Sequence, residues 1–240
     1  MNTAARLGLL GGTFDPIHVG HVAAARAART RLGLDRVLLL PSNVPPHRPQ
    51  PLVSVHHRFA MVALAVAGED GLEASDLELS APGPSYTAAT LQRLHDRGYR
   101  ASQLFFVIGA DAFAEIDTWR DYPRFLEDAA FVVVNRGARS ALDMPAAVPS
   151  IASRMVPVDE RWQVSHDASR SVLLLDDAMP AVSSTGIRAR VNEGHSIAGL
   201  VPALVEAHIL KHQLYTGVPA HERSGAHHGT ANLLHEQEHH

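Results

Sequence analysis

Residues 7–32 read LGLLGGTFDPIHVGHVAAARAARTRL and decide the fold. The apolar run at 7–10 is typical of a buried strand, and residues 19–32 repeat small apolar positions with the period of a helix. Gly11 and Gly12 follow the strand, so the backbone there can approach a ligand closely. A strand, a glycine turn and a helix in this order predict the start of a βαβ unit.

The rest of the chain repeats this alternation of short apolar runs and segments of helical period. We expect further strands at 37–40, 104–108, 130–134 and 172–175, and helices at 55–66, 87–97, 112–116, 185–192 and 202–208. Alternation of this kind predicts right-handed crossovers and a Rossmann-like α/β fold, with a parallel sheet and helices on both faces. Ligands in such folds bind beyond the carboxyl ends of the strands, so functional motifs are expected directly after strands.

The composition excludes several classes of protein. Apolar residues make up 46% of the chain and charged residues 19%, a balance typical of a packed domain. The absence of cysteine excludes disulfides and thiolate metal sites, and a single lysine, Lys211, excludes a lysine-bearing phosphate loop of the G-x-x-x-x-G-K-[ST] type. A formal net charge of -4 provides no cationic field for nucleic acid or a membrane surface, and the apolar runs are too short to span a bilayer. We therefore expect a cytoplasmic protein without nucleic-acid or membrane partners.

Two internal stretches and the C-terminus lack periodicity. Residues 41–51 hold five prolines and are interpreted as a functional loop, and residues 137–170 as a variable insertion. Residues 217–240 carry six of the 16 histidines and are predicted to be a disordered tail, which leaves a domain over residues 1–216. The sequence leaves open whether the tail binds a metal and whether the chain forms a homo-oligomer.

Two segments that follow predicted strands suit phosphate binding. In the first, His18 and His21 are three residues apart at the start of a helix, so both side chains can reach one ligand beside the N-terminal N–H groups. In the second, the hydroxyls of Ser184 and Thr185 precede Arg188 by about one helical turn. Hydroxyls alone would be explained as helix caps, but the added guanidinium indicates a cradle for a polyphosphate.

These segments resemble a known signature. The pair GGTFDPIHVGH at 11–21 and SSTGIR at 183–188 is similar to that of the bacterial nucleotidylyltransferases. Three further segments narrow the resemblance to the nicotinate mononucleotide adenylyltransferase family: PSNVPPHR at 41–48, PSYTAATL at 84–91, and IGAD at 108–111 followed by Thr118 and Trp119. All five segments occur in the order that the family shows.

The resemblance implies a role for each matching residue. His18, His21 and Arg188 would act on the reacting phosphates. ATP would lie against a larger group made up of Gly11, Gly12, Thr13, Phe14, Gly109, Asp111, Ser184 and Thr185. A mobile loop with His47 and Arg48 would cover the phosphates, and Thr87 and Trp119 would bind the nicotinate ring. From the residues alone, Trp119 is equally well explained as a core anchor and Thr87 as an ordinary helix cap.

The implied activity is adenylyl transfer from ATP to nicotinate mononucleotide. It gives nicotinate adenine dinucleotide and pyrophosphate, in NAD biosynthesis. Mg²⁺ is expected as the cofactor, bound mainly by phosphates and water, without a dedicated set of protein ligands. Two alternatives remain: an adenylyltransferase acting on nicotinamide mononucleotide, and a nucleotide-binding regulatory protein without turnover.

Overall fold

The computed structural model describes residues 5–45, 50–81, 83–135, 139–159 and 168–217. Seven strands form one sheet: β1 Leu7–Gly12, β2 Arg36–Pro41, β3 Leu72–Ala74, β4 Leu104–Gly109, β5 Ala130–Val134, β6 Met155–Pro157 and β7 Val172–Leu175. The α-helices are α1 Val19–Leu32, α2 Val55–Val66, α3 Thr87–Asp96, α4 Ala110–Phe113, α5 Met144–Ala147, α6 Ser184–Asn192 and α7 Ala203–Lys211. No helix among these described ranges is both long enough and apolar enough to cross a membrane.

The sheet is parallel throughout, and its strands follow the order β3-β2-β1-β4-β5-β7-β6. Its five inner strands, β1, β2, β4, β5 and β7, are those expected from the apolar runs, so the predicted fold class is confirmed. The strand order reverses between β1 and β4. In a doubly wound sheet this is the crevice where ligands bind, because the chain leaves the two strands toward opposite faces.

The sequence prediction missed both edge strands. β3 and β6 contain three residues each, too few for a recognisable pattern of alternation. The stretch at 137–170, expected to be irregular, contributes β6, helix α5 and several single 3-10 turns among its described residues. That expectation was therefore wrong in part.

The helices agree closely with their predictions except α4. The helix expected at 112–116 instead begins at Ala110, directly after β4, and ends at Phe113, with a separate 3-10 turn at Ile116–Thr118. Gly109 is both the last residue of β4 and the N-cap of α4, with an extended backbone, so no loop separates the strand from the helix. The consequence is that Gly109 and Asp111 lie at the carboxyl edge of the sheet.

The core consists of two apolar layers, one on each face of the sheet. One layer packs α1, α2, α6 and α7 against the sheet, and the other packs α3, α4 and α5. β4 illustrates the division, since Phe105 and Val107 face the first layer and Phe106 and Ile108 the second. Two covered faces explain why the inner strands are continuous apolar runs.

Candidate functional site

The turn after β1 has a strained and tightly packed backbone. Phe14 adopts a φ of 50°, in the left-handed region that non-glycine residues rarely occupy. Its ring is buried and lies so close to Gly12 that a Cβ at that glycine would come within 2.9 Å of it. Glycine is therefore required at Gly12, and the turn is held in one shape before α1 begins.

His18 and His21 come together at the start of α1, as predicted. Their rings stack with centroids 3.7 Å apart, and the edge of Phe14 packs on His21 at 5.0 Å. The main-chain nitrogen of His18 donates to Nδ1 of His21 at 3.3 Å, so the proton of a neutral His21 ring lies on Nε2. Both side chains are buried against this turn, which fixes their direction.

A small cleft of about 30 Å³ lies beside the two histidines. Its walls come from β1, the start of α1, the ends of β4 and β5, and the segment before α6: Leu10, His18, Gly20, His21, Ala24, Gly109, Val134, Asn135, Met179 and Pro180. A Cβ at Gly20 would lie 3.1 Å from Nδ1 of His18 and 3.2 Å from the carbonyl of Pro180, so glycine keeps this cleft open. Asn135, which the sequence analysis did not select, directly follows β5.

Helix α6 packs its N-terminus against the same turn. Ser183 caps the helix by accepting from the nitrogen of Gly186, and Ser184 Oγ donates to the carbonyl of Pro16 at 2.9 Å. Arg188 donates through Nη1 to the carbonyl of Asp15 at 2.8 Å and through Nη2 to Thr185 Oγ1 at 3.2 Å. The two segments that were predicted to bind phosphate are thus in direct contact, although Ser184 and Pro16 are 168 positions apart.

Beneath the turn lies a buried polar group that sequence reasoning missed. The Asp15 carboxylate, 5% exposed, accepts from the hydroxyl of Tyr215 at 2.8 Å and from the nitrogen of Leu52 at 2.9 Å. Burial and the neighbouring carboxylate raise the pKa of Tyr215, so its hydroxyl stays protonated. Asp15 therefore ties the turn to two distant parts of the chain.

On the opposite side, the segment before α3 meets the residues after α4. Tyr86 caps α3, and the guanidinium of Arg120 lies 4.8 Å above the Tyr86 ring. Thr87 is the first residue of the helix, and the neighbouring Trp119 is half-buried against the core.

Below this segment, Glu78 is buried and accepts from Thr90 Oγ1 at 2.8 Å. Burial raises the pKa of Glu78, and hydrogen bonds from Thr90 and Ser85 partly oppose that shift. Thr90 lies one turn into α3, so Glu78 holds this helix and Ser85 together. The sequence analysis had not selected it.

Two predicted residues, His47 and Arg48, lie outside the described residues, as does the predicted tail from 218 onward. Asp111 lies in the first turn of α4, half-exposed. Among the residues with described positions, no group of three or more histidine, aspartate or glutamate side chains has an arrangement that could hold a metal ion.

Comparison with known proteins gives a consistent result. The family model described as cytidylyltransferase-like matches residues 9–190. A relative from Desulfatibacillum aliphaticivorans, named "Probable nicotinate-nucleotide adenylyltransferase", is 41% identical over 224 residues, covering 88% of this chain and 99% of its own. A relative of the same name from Roseiflexus sp. (strain RS-1) is 40% identical over 214 residues, covering 89% and 99%.

A solved structure agrees at the level of the fold. It is the Plasmodium falciparum nicotinic acid mononucleotide adenylyltransferase complexed with NaAD, with a TM-score of 0.67 and 17% identity. The match covers 88% of this chain and 98% of that one.

Proposed function

Since this chain belongs to the nicotinate-nucleotide adenylyltransferase family, within the cytidylyltransferase-like proteins, we propose that it joins nicotinate mononucleotide to the adenylyl group of ATP. The products are nicotinate adenine dinucleotide and pyrophosphate. The observation that carries the proposal is the packing of the Arg188 segment on the turn before His18 and His21, which gathers three groups able to bind phosphate.

The reaction needs no nucleophile from the protein. A phosphate oxygen of nicotinate mononucleotide attacks the α-phosphorus of ATP, and the bond from that phosphorus to the bridging oxygen of the β-phosphate breaks. Pyrophosphate leaves with the bonding electron pair. Negative charge moves toward the leaving group during this displacement, so preorganised donors accelerate it.

His18, His21 and Arg188 are suited to that electrostatic role. Nε2–H of a neutral His21 is a directed donor, and its direction is fixed by the bond that Nδ1 accepts from the backbone. Arg188 brings a permanent positive charge on a planar fork that matches phosphate oxygens. Ser184 and Thr185 lie at the N-terminus of α6, where main-chain N–H groups favour an anion. These groups would hold the triphosphate and stabilise the leaving pyrophosphate.

The nucleoside part of ATP would lie along the edge between β1 and β4. Gly11, Gly12, Thr13 and Phe14 form one side of this edge, and Gly109 and Asp111 form the other. Asp111 offers carboxylate oxygens to ribose hydroxyls. His47 and Arg48 would close over the phosphates from the loop after β2.

The acceptor would bind between the start of α3 and Trp119. Thr87 offers a hydroxyl beside the first N–H groups of α3, and Trp119 offers a ring for stacking. Arg120 adds a positive charge above Tyr86. Arg120 also pairs with Asp121 at 3.7 Å, so the preference for a carboxylate over the neutral amide of nicotinamide mononucleotide is proposed from the names of the relatives.

Mg²⁺ would be bound mainly by the phosphates of ATP and would neutralise part of their charge. Magnesium keeps much of its hydration and binds phosphate oxygens readily, so few protein carboxylates are required. The use of ATP as co-substrate also supports the proposal that the protein is located in the cytoplasm.

The test is pyrophosphate release from ATP and Mg²⁺ with either mononucleotide as acceptor. We expect release with nicotinate mononucleotide and its loss in His21→Ala. His56→Ala is the matched control, because His56 is an exposed histidine at the start of α2. Pyrophosphate release with nicotinamide mononucleotide alone would reassign the acceptor. ATP binding without pyrophosphate release in the presence of either mononucleotide would indicate a regulatory protein.

A further inference from the structure

Arg58 is a buried cation that none of the predicted roles uses. It lies in the first half of α2 and is 1% exposed. Nη1 donates to the carbonyl of Thr13 at 2.8 Å, and Nη2 donates to the carbonyl of Asn43 at 3.3 Å. Both acceptors belong to the main chain, so Arg58 fixes backbone positions rather than particular side chains.

Stability alone explains this arginine poorly. Burial lowers the pKa of the guanidinium, and the nearby Asp15 carboxylate offsets only part of that shift. Arg58 Nε has no hydrogen-bond partner within the described part of the chain. An apolar side chain in place of a buried charge is often neutral or stabilising, which points to a role in geometry.

The two carbonyls lie where β1 and β2 separate. The strands are paired in register up to Gly12 and Pro41, and the nitrogen of Ser42 donates to the carbonyl of Gly12 at 2.9 Å. Beyond this bond the chains diverge, and the Arg58 fork connects Thr13 to Asn43. Arg58 therefore continues the link between the two strands past the end of the sheet.

From Asn43 the hydrogen bonds continue to the segment before α3. The nitrogen of Asn43 donates to Ser85 Oγ at 2.9 Å, and the nitrogen of Ser85 donates to the carbonyl of Val44 at 3.0 Å. Two positions further along is Thr87, on the acceptor side of the proposed site. One connected path thus runs from the turn that would bind ATP, through Arg58, to the segment that would bind the acceptor.

We propose that Arg58 is a positioning residue that sets the spacing between the ATP turn at Thr13 and the acceptor segment at Ser85. This inference rests on the proposed function. Arg58 acts through the carbonyls of Thr13 and Asn43 and holds the α-phosphate of ATP and the attacking phosphate in line. A misplacement of about 1 Å between reacting groups can lower a rate by about 100-fold.

The test compares two variants of Arg58 with a stability-matched control. Arg58→Met keeps the length of the side chain and removes both donors, and Arg58→Lys keeps the charge and some donor capacity. Val62→Ala removes buried methyl groups from the same helix without touching either loop. All are assayed for kcat and for the KM of each substrate, together with the melting temperature.

We expect Arg58→Met to lower kcat by about 10- to 100-fold with smaller changes in either KM, since each loop keeps its own binding groups. Arg58→Lys should recover part of kcat. Val62→Ala should lower the melting temperature and leave kcat at the wild-type value. An unchanged kcat in Arg58→Met, or an equal loss of kcat in Val62→Ala, would overturn the proposal.

Amide hydrogen exchange separates this inference from the proposed function. The amides of Ser42 and Ser85 both make bonds along the connected path. They should exchange faster in Arg58→Met than in wild type, and at the wild-type rate in Val62→Ala. If these amides exchange at the wild-type rate in Arg58→Met, the positioning role is overturned, whatever the activity of the wild-type protein. If the wild-type protein releases no pyrophosphate, only the proposed reaction is refuted.

Discussion

Asp15 shows how one buried side chain can set the shape of a turn. Its carboxylate connects the turn after β1 to Leu52 and to Tyr215, which is 200 positions away. Sequence analysis identified the turn from its glycines and histidines, because their spacing is local. It could not find the buried partners Arg58 and Tyr215, since no pattern along the chain indicates which distant side chains will meet.

Removal of the Tyr215 hydroxyl should therefore destabilise the protein. Tyr215→Phe leaves a buried carboxylate one donor short, at a cost of about 1–3 kcal/mol in the free energy of unfolding. Tyr122→Phe is the matched control, because the Tyr122 hydroxyl bonds Ser150 at an exposed position. Urea denaturation of both variants measures the difference, and equal losses would contradict the role given to Asp15.

Gly20 provides a second test at the scale of one residue. A methyl group there would press on the His18 ring and on the carbonyl of Pro180, so Gly20→Ala should lower kcat/KM for ATP by about tenfold or more. Alanine has a higher helix propensity than glycine, so helix propensity should not lower the melting temperature of this variant. Gly68→Ala serves as control, because nothing lies within 4 Å of the added Cβ. Wild-type kcat/KM in Gly20→Ala would show that the cleft is not used.

At the scale of elements, the inner strands and long helices could be predicted because burial on both faces leaves continuous apolar runs. α1 and α2 have the predicted bounds. The three-residue edge strands β3 and β6 could not be predicted, because they form through main-chain pairing with a neighbouring strand and their side chains contribute little. Parallel order also explains why functional motifs were expected directly after strands, while a shared site for the segments after β1 and before α6 was implied by the family resemblance.

Helix α6 offers a test of how an element positions its residues. Ser183 caps it, and Ser183→Ala should lower the free energy of unfolding by about 1 kcal/mol. Because the first turn carries Ser184 and Thr185, fraying should also raise the KM for ATP. Ser183→Gly costs only a few tenths of a kcal/mol at a cap, so it should leave both quantities near wild type. If Ser183→Ala loses stability but keeps its KM, α6 does not hold the phosphates.

At the scale of the whole molecule, α7, the last helix in the described part of the chain, connects the surface to the site. Three histidines meet between α2 and α7: His57 Nδ1 lies 3.1 Å from His208 Nε2, and the His212 ring is 4.4 Å from that of His208. After α7 the chain leads directly to Tyr215 and hence to Asp15. The packing of α7 on α2 therefore supports the turn that precedes His18 and His21.

This arrangement predicts a loss of stability in mild acid. Burial, together with the positive charges of His212, His57 and Lys211, lowers the pKa of His208 below its ordinary value of 6.5. A histidine whose pKa is lower in the folded state binds its proton more readily when unfolded, so stability is full above 6.5 and falls as the pH drops below it. The melting temperature should decline from pH 7 to pH 5, and His208→Gln should flatten this decline. His56→Gln, at an exposed position of α2, should retain the wild-type slope. The same slope in His208→Gln and wild type would assign the acid sensitivity to groups outside this cluster.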